Sequence, residues 1–487
     1  MDPVLQNLKP ELLWKHFDEI RKIPHGSGKE TAIGEYVKSV AKANHCEVEA
    51  DEVGNVVIRK PASKGFEKAE IVILQGHLDM VCEKNSDVEF DFDMDPIQLQ
   101  MDGEWLMAKG TTLGADNGIG VAASLAVLED PTLVHGPLEL LFTVDEETGL
   151  TGAGFIKPGF VKGRKYLNLD SEEEGVFTIG CSGGADSITS LPVKKIAAPA
   201  GNSMCLKIAG LKGGHSGLDI NAGRGNAIKL LTRILWKANE AGPIALAAIN
   251  GGNKRNAIAR EATAEIIVAL QKVDAVKQAI NTALVEIKNE FKAIEKDLRL
   301  DTEVLKSPPS KVLADTSKIA LLRLLYGLPH GVLAMSKEIE GLVETSTNLA
   351  IVTTAEDAIS IGQSSRSSLK SALAATRTKL KALAELAGAT VDQPEGYPGW
   401  APNLSSEILK ISKQVYADLF GKEPQLAAIH AGLECGIIGE KFPGMDMVSF
   451  GPDLKNPHSP DEKVNVRSVD LFWKHLVGIL EYVAKQA

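Results

Sequence analysis

The chain has 487 residues, more than one ordinary core accommodates, so two or three domains are expected. Its 44% hydrophobic and 24% charged content is that of a globular protein, and a net charge of −11 excludes the basic stripe that a nucleic-acid surface needs. Five scattered cysteines (Cys46, Cys82, Cys181, Cys205, Cys435) form no C-x-x-C pair, which argues against a disulfide framework and for a reducing cytoplasm.

The N-terminal "MDPVLQNLKPELLWKHFDEI" reads as an amphipathic helix with acidic residues, without the apolar core of a signal peptide. No apolar run is long enough to span a bilayer, so no membrane partner is expected. Helices are expected near Pro10–Ile23 and Gly28–Ala43, then strands at "NVVIRK", "AEIVILQGHLDMV", "GPLELLFTVDEE" and "RKYLNLDSEE". Between them "NGIGVAASLAVLED" has helical periodicity. This alternation predicts an α/β sheet with helices on both faces. After about Gly183 the pattern changes. "MCLKIAGLKGG", "TAEIIVALQ", "GLVETSTNLAIVTT" and "DAISIGQSSR" read as antiparallel strands, alternating with helices at "NAIKLLTRILWKANEA", "VDAVKQAINTALVEIKNEFKAIEKDL" and "SSLKSALAATRTKLKALAELAG". The turn-rich "VDQPEGYPGWAPN" then leads back to α/β character. The expected organisation is a catalytic domain over 1–190, an inserted α+β domain over 191–394, and the rest of the catalytic domain over 395–487.

Polar residues gather where an α/β sheet presents its loops. His77 and Asp79 end one strand, and residues i and i+2 of a strand share a face. Asp116 sits in "GTTLGADNGIG"; Glu146 and Glu147 end "LELLFTVDEETG"; Asp170 ends "YLNLDSEEEG"; His458 lies in "NPHSPDE". Taken singly, each reads equally as a solvated strand-end group, and His77 and Asp79 as a pair satisfying one another. Together they fit a pair of divalent ions, which need imidazole and carboxylate ligands and favour a shared carboxylate. Asp116 suits the shared place, because its glycines allow close backbone approach. One acid must stay free as a base, and the Glu146–Glu147 pair offers both a ligand and a base, since neighbours diverge from an extended backbone. "GTTLGADNGIG" lacks the G-K-[ST] of a phosphate loop, and neither "CSGG" nor "GHSG" forms a nucleophile elbow.

"GHLDMV", "GTTLGADNGIG", "DEETG", "NLDSEEEG", "GLKGGHSG" and "NPHSPDE" closely resemble the aminoacyl-histidine dipeptidases (Xaa-His dipeptidase, peptidase D). These belong to the carboxypeptidase G and aminoacylase group of dinuclear zinc exopeptidases. "RKPA", "DGEW", "GYPGW" and "HAGLECG" match the dipeptidase branch, and the likeness covers nearly the whole chain. It implies a zinc-exopeptidase-like mixed sheet with an inserted α+β lid domain, and cytoplasmic hydrolysis of Xaa-His dipeptides, carnosine-like ones included, by metal-activated water. It also implies two divalent ions per chain, zinc with cobalt or manganese as alternatives, and a homodimer. His77 and Asp170 are then ligands of one ion, Glu147 and His458 of the other, and Asp116 bridges them, with the Asp116–Asn117 peptide expected to be cis. Glu146 becomes the general base, and Asp79 orients His77. From the inserted domain, His215 is expected to stabilise the oxyanion, while Asn256 and Arg366 are candidates for holding the substrate. The roles of His430 and Glu434 stay open. Related zinc aminopeptidases, N-acyl amino acid deacylases and a metal-binding protein without catalysis are the alternatives. An intact Glu146 beside Glu147 speaks against the last.

Overall fold

A computed structural model describes residues 1–486, which fall into two compact units. Its first unit comprises Met1–Cys181, Trp400–Ala428 and the described residues from Leu433 onward. The second comprises Ser182–Gly399 and the short stretch Ile429–Gly432.

The first unit is built on an eight-stranded mixed sheet. Its centre is the strand Val72–His77, which pairs parallel with Leu138–Thr143 on one side and Lys165–Asn168 on the other. Asp446–Ser449 extends the parallel set, whereas Glu47–Ala50 and Val56–Lys60 close one edge antiparallel. The central strands are buried at every position, so they read as continuous apolar runs rather than alternating ones. The helix Ala115–Glu129 is buried continuously from Asn117 to Leu128, which suits its mostly apolar sequence. Two glycines let its first turn press onto the sheet. A Cβ added at Gly76 would lie 2.2 Å from Asn117 Oδ1, and one at Gly120 would lie 2.5 Å from the Leu169 carbonyl. The first helix spans Glu11–Ile20 and the second Thr31–Ala43, both shorter than expected because capping turns occupy their ends.

His475, on the closing helix Val466–Lys485, illustrates how this core depends on pH. Its ring stacks on Phe177 at 4.9 Å between centroids, and its Nε2–H donates to the Ser412 carbonyl at 2.9 Å. Burial lowers its pKa from 6.5 to about 4, against the opposing pull of that hydrogen bond. The unfolded chain therefore binds a proton below pH 6.5 that the folded chain refuses until about pH 4. Stability is retained above pH 6.5 and lost as pH falls towards 4, by up to about 3 kcal/mol from this residue. His475→Gln should flatten the fall of the urea midpoint across that window; a slope unchanged from the parent protein would remove this account.

The second unit carries a nine-stranded antiparallel sheet, whose long strands include Gly183–Pro192, Asn202–Ala209, Ala262–Val268, Val343–Thr354 and Ala358–Ser367. Helices Ala227–Ala241, Val273–Phe291, Asp315–Gly327 and Lys370–Leu386 share one apolar core with it. Ala227–Ala241 begins where Asn226 Oδ1 accepts from the backbone N–H groups of Ile228 and Lys229. The expected helix running on to Leu298 stops at Phe291, and Asp315–Gly327 is a helix that was not expected.

Candidate metal centre

Parallel strands end on the same edge of a sheet, and three such ends build the centre. His77 is the last residue of the strand Val72–His77, with Asp79 two residues beyond it. Asp170 follows Lys165–Asn168 at the same edge. After Leu138–Thr143 the chain passes through left-handed Asp145 (φ 51°) into a four-residue helix, Glu146–Gly149. Glu146 and Glu147 therefore lie on a helical turn, not on the extended backbone expected for them. Asp116 joins from the first turn of the central helix, and its peptide to Asn117 is cis.

These side chains form overlapping sets whose ligating atoms lie within 4.8 Å of one another: His77–Asp116–Asp170, Asp116–Glu147–His458 and His77–Glu146–Glu147. His77 Nε2 lies 3.1 Å from Asp116 Oδ1 and 3.3 Å from Asp170 Oδ1. His458 Nε2 lies 3.3 Å from Asp116 Oδ2 and 2.9 Å from Glu147 Oε2. Asp116 thus gives one oxygen to each set. A tetrahedral shell with bonds of about 2.0–2.1 Å requires ligand–ligand edges of about 3.3 Å, close to these separations. Glu147 Oε1 is buried without a hydrogen-bond partner. Among the described residues, the ion pairs of Asp116, Glu147 and Asp170 are with histidine alone. The donor set therefore fits divalent cations.

The crowding of carboxylates shapes the protonation of the centre. Burial opposes a charge on His77, but Asp170, Asp116 and Asp79 outweigh it and raise its pKa well above the usual value. Hydrogen bonds to Asp116 and Glu147 push His458 up to about 11. Burial lifts Asp170 to about 6, against His77, and raises Glu146 well above the ordinary carboxylate value. Glu172 reaches the surface at the rim of the centre, yet the protein around it strips away enough water, with the charges of Asp116 and Asp170 added, to raise it to about 8.

Asp79 orients more than His77. Its Oδ1 lies 3.3 Å from His77 Nδ1 and accepts from Glu146 N–H at 3.0 Å, while Oδ2 accepts from Glu147 N–H at 3.1 Å and from Ser27 Oγ at 2.7 Å. Asp79 therefore fixes the imidazole, through its backbone carbonyl 3.0 Å from His77 Nδ1 with the carboxylate just beyond, and its carboxylate fixes both glutamate backbones. Burial raises its pKa, yet these bonds bring it down to about 2.

Two buried carboxylates beside these side chains were given no role from the sequence. Glu434 is fully buried and accepts from Thr143 Oγ1 at 2.8 Å and Gln75 Nε2 at 2.5 Å, beneath the His77 strand. Glu462 stands four residues after His458 and accepts from the backbone N–H groups of Leu113, Gly114, Ala115 and Asp116, at 2.7, 3.0, 2.8 and 3.3 Å. It caps the helix that carries Asp116 and ties that helix to the loop that carries His458. The glutamate closing "HSPDE" was the available signal. Glu462→Gln should lower cation affinity about 10–100-fold in a chelator competition, the usual cost of a lost partner behind a ligand. An affinity equal to that of the parent protein would reduce Glu462 to a helix cap.

In the second unit, His215 and Asn256 lie on adjacent strands of chain. Ser216 N–H donates to the Asn256 carbonyl at 2.8 Å, and Ile258 N–H to the Gly214 carbonyl at 2.8 Å. Both residues line a cavity of about 840 Å³ together with Lys212, Lys254 and Arg260. His215 Nδ1 accepts from the N–H groups of Gly217 (3.3 Å) and Leu218 (3.1 Å), so a neutral ring carries its proton on Nε2. Burial, with the Arg366 charge added, lowers its pKa and favours that neutral form. Arg366 is not among the residues lining this cavity. It is buried, donates to Tyr397 OH at 2.6 Å and keeps a buried Nε without a partner. His430 hydrogen-bonds Ser346 Oγ at 2.7 Å, and burial lowers it to about 4.

A mixed sheet that presents histidines and carboxylates at its strand ends, interrupted by an antiparallel α+β unit, is of the zinc-exopeptidase class. The chain belongs to Peptidase family M20/M25/M40, whose pattern matches residues 73–482. It is 44% identical over 480 residues to the cytosol non-specific dipeptidase of Escherichia coli (strain K12), covering 98% of this chain and 99% of that protein. The crystal structure of aminoacylhistidine dipeptidase from Vibrio alginolyticus matches with a TM-score of 0.91, at 44% identity over 98% of each chain. Aminopeptidase PepT from Bacillus cereus ATCC 10987 shares the fold at 17% identity, with a TM-score of 0.56 over 98% of this chain and 99% of that one. Peptidase chemistry and the resemblance read from the motifs are both borne out.

Proposed function

We propose that the protein is a dipeptidase of the cytoplasm that uses two divalent cations, and that Xaa-His dipeptides are among its substrates. The observation that carries this reading is Asp116, which offers one oxygen to each of two donor sets while Glu146 stands beside them. His77 and Asp170 would complete one set, Glu147 and His458 the other; imidazole and carboxylate donors suit zinc, with cobalt and manganese as substitutes. When bound, the cations supply Lewis-acid polarisation of the scissile carbonyl and a nucleophile from water at neutral pH. Glu146 takes the proton from the attacking water and delivers it to the departing amine. Asp79 holds Glu146, Glu147 and His77 in register. His215 donates Nε2–H to the carbonyl oxygen as it gains charge. Asn256 and Arg366 hold the substrate, Arg366 through its terminal carboxylate. The protein works as a homodimer.

The two 44%-identical relatives carry different specificities in their names, one non-specific and one for aminoacylhistidines. The reading adopted is a dipeptidase of broad side-chain tolerance that includes histidine in second position. The test is the metal-loaded protein against a dipeptide panel with tripeptides and N-acetyl amino acids as controls. Dipeptides alone should be cleaved, and metal analysis after dialysis should find close to two equivalents. Full activity in a metal-free preparation, or cleavage of N-acetyl amino acids in preference to dipeptides, would overturn the proposal.

A further inference from the structure

His215 stands on a long irregular loop of the second unit, between the strand Asn202–Ala209 and the helix Ala227–Ala241. Residues 210–225 include six glycines, and Gly213 and Gly214, just before the histidine, have positive φ (66° and 136°). Glycine has more conformational freedom to lose on folding than any other residue, so such a loop keeps one shape only where it is tied. Glu295 supplies the tie. It lies beyond the end of the helix Val273–Phe291, is 4% exposed, and holds both ends of the loop. Its Oε2 accepts from Lys212 N–H and its Oε1 from Gly225 N–H, each at 2.9 Å. The turn that bears it also abuts both ends of the loop: the Asp297 carbonyl leaves no room for a Cβ at Gly210, and Ile294 Cδ1 leaves little at Gly223. Inward from these ties, Arg224 Nη1 donates to the Gly213 carbonyl at 2.7 Å, and its Nη2 pairs with Asp219 Oδ1 at 2.8 Å. Asp219 in turn accepts from His215 N–H at 2.8 Å. These contacts run without a break from Glu295 to the backbone of His215.

We infer that Glu295 is a positioning residue for His215: its carboxylate closes the loop at both ends and so sets where the imidazole presents Nε2–H. The inference rests on the oxyanion role proposed above for His215 and adds to it the group that fixes the donor's place. A carboxylate suits this position chemically. Two N–H groups arrive at one side chain, and a carboxylate offers an acceptor to each. Hydrogen bonds to a charged acceptor are about twice as strong as neutral ones, which offsets the cost of burying the charge. Glutamine has the same shape but a single oxygen. Its NH2 group would face an N–H donor, so one end of the loop would come free. An oxyanion donor works only at close range, and a displacement of about 1 Å can cost about 100-fold in rate. That loss falls on the transition state, where the oxygen is charged, and hardly on the ground state, so it appears in kcat rather than KM.

The test is Glu295→Gln made both in the parent protein and in the His215→Ala protein, with kcat and KM measured on one dipeptide. In the parent, the substitution should lower kcat about 10–100-fold and leave KM within about threefold. In the His215→Ala protein it should change kcat by less than about twofold, because the group it positions is gone. A loss of folded protein multiplies both backgrounds alike and cancels from their comparison. Glu295→Asp keeps both acceptors on an arm one methylene shorter. It should lose less, about three- to tenfold in kcat, again only where His215 is present. If the glutamine variant does not fold, the aspartate variant carries the same comparison. Equal losses in the two backgrounds would overturn the inference and leave the role of His215 standing. So would parental kcat in Glu295→Gln beside a His215→Ala protein that has lost its turnover. A His215→Ala protein with parental turnover would instead remove the oxyanion reading itself, and this inference with it.

Discussion

Glu146→Gln is expected to keep both cations and lose about 10²–10⁴-fold in kcat, whereas Glu147→Ala is expected to lose cation affinity. The two residues are neighbours, yet their backbones are held alike, one by each oxygen of Asp79 (3.0 and 3.1 Å). Neither substitution disturbs that anchor, so the mutants differ only in what the side chain did. Glu147 Oε2 lies 2.9 Å from His458 Nε2, inside the donor set that includes Asp116, and its other oxygen is buried without a partner. On the two-cation reading proposed above, removing it strips a ligand. Glu146 falls in a set with His77 and Glu147 but makes no ion pair in either set built on Asp116, so its oxygens stay available to move a proton. Metal content by elemental analysis and turnover on a dipeptide separate the two effects. A Glu146 variant that loses metal, with a Glu147 variant that keeps metal and loses turnover, would reverse the assignment.

The candidate ligands converge because parallel strands impose a common edge. A polar residue that closes an apolar run, as in "ILQGHLD" and "YLNLD", marks the point where the chain leaves the buried sheet, and three such runs in one sheet converge. The glycines around Asp116 were read as allowing close approach, and Gly120 does face the Leu169 carbonyl. What escaped was non-local or too short to have a period. The helix Glu146–Gly149 is one turn long, so no periodicity marks it, and the left-handed Asp145 before it has no sequence signature. Glu462 acts on amides of a distant segment, which no local pattern reveals. The second unit begins at Ser182, earlier than composition suggests. Its first strand, Gly183–Pro192, opens with small residues of weak strand propensity and is held by pairing along its whole length with Ala358–Ser367. Ile429–Gly432 joins the second unit through bonds such as Ser182 N–H to the Ala431 carbonyl, which again carry no local signal.

His215→Ala is expected to leave metal content unchanged and to lower kcat by about 10²–10³-fold, the usual loss for one oxyanion donor. The expectation follows from the way the ring is held. Two backbone N–H groups point at Nδ1, so that nitrogen must accept, and the proton of the neutral ring is fixed on Nε2. The lowered pKa keeps the ring neutral near pH 7, so it donates one hydrogen bond without carrying a charge that must be desolvated. Asp219 Oδ2 accepts from His215 N–H at 2.8 Å, and Arg224 pairs with Asp219 at 2.8 Å, so the turn is rigid before substrate arrives. A donor fixed in advance costs no reorganisation when charge develops on the carbonyl oxygen. The loss should appear in kcat more than in KM, because the ground-state carbonyl carries little charge. His215→Asn, which retains an N–H donor on a shorter side chain, should recover part of the rate. Mixing the His215→Ala and Glu146→Gln proteins asks which subunit supplies the ring. Activity regained after verified subunit exchange would mean that His215 serves the partner's centre; no regain would mean that it serves the Glu146 of its own chain. A His215→Ala protein with turnover near that of the parent would leave the ring as a structural element of its turn.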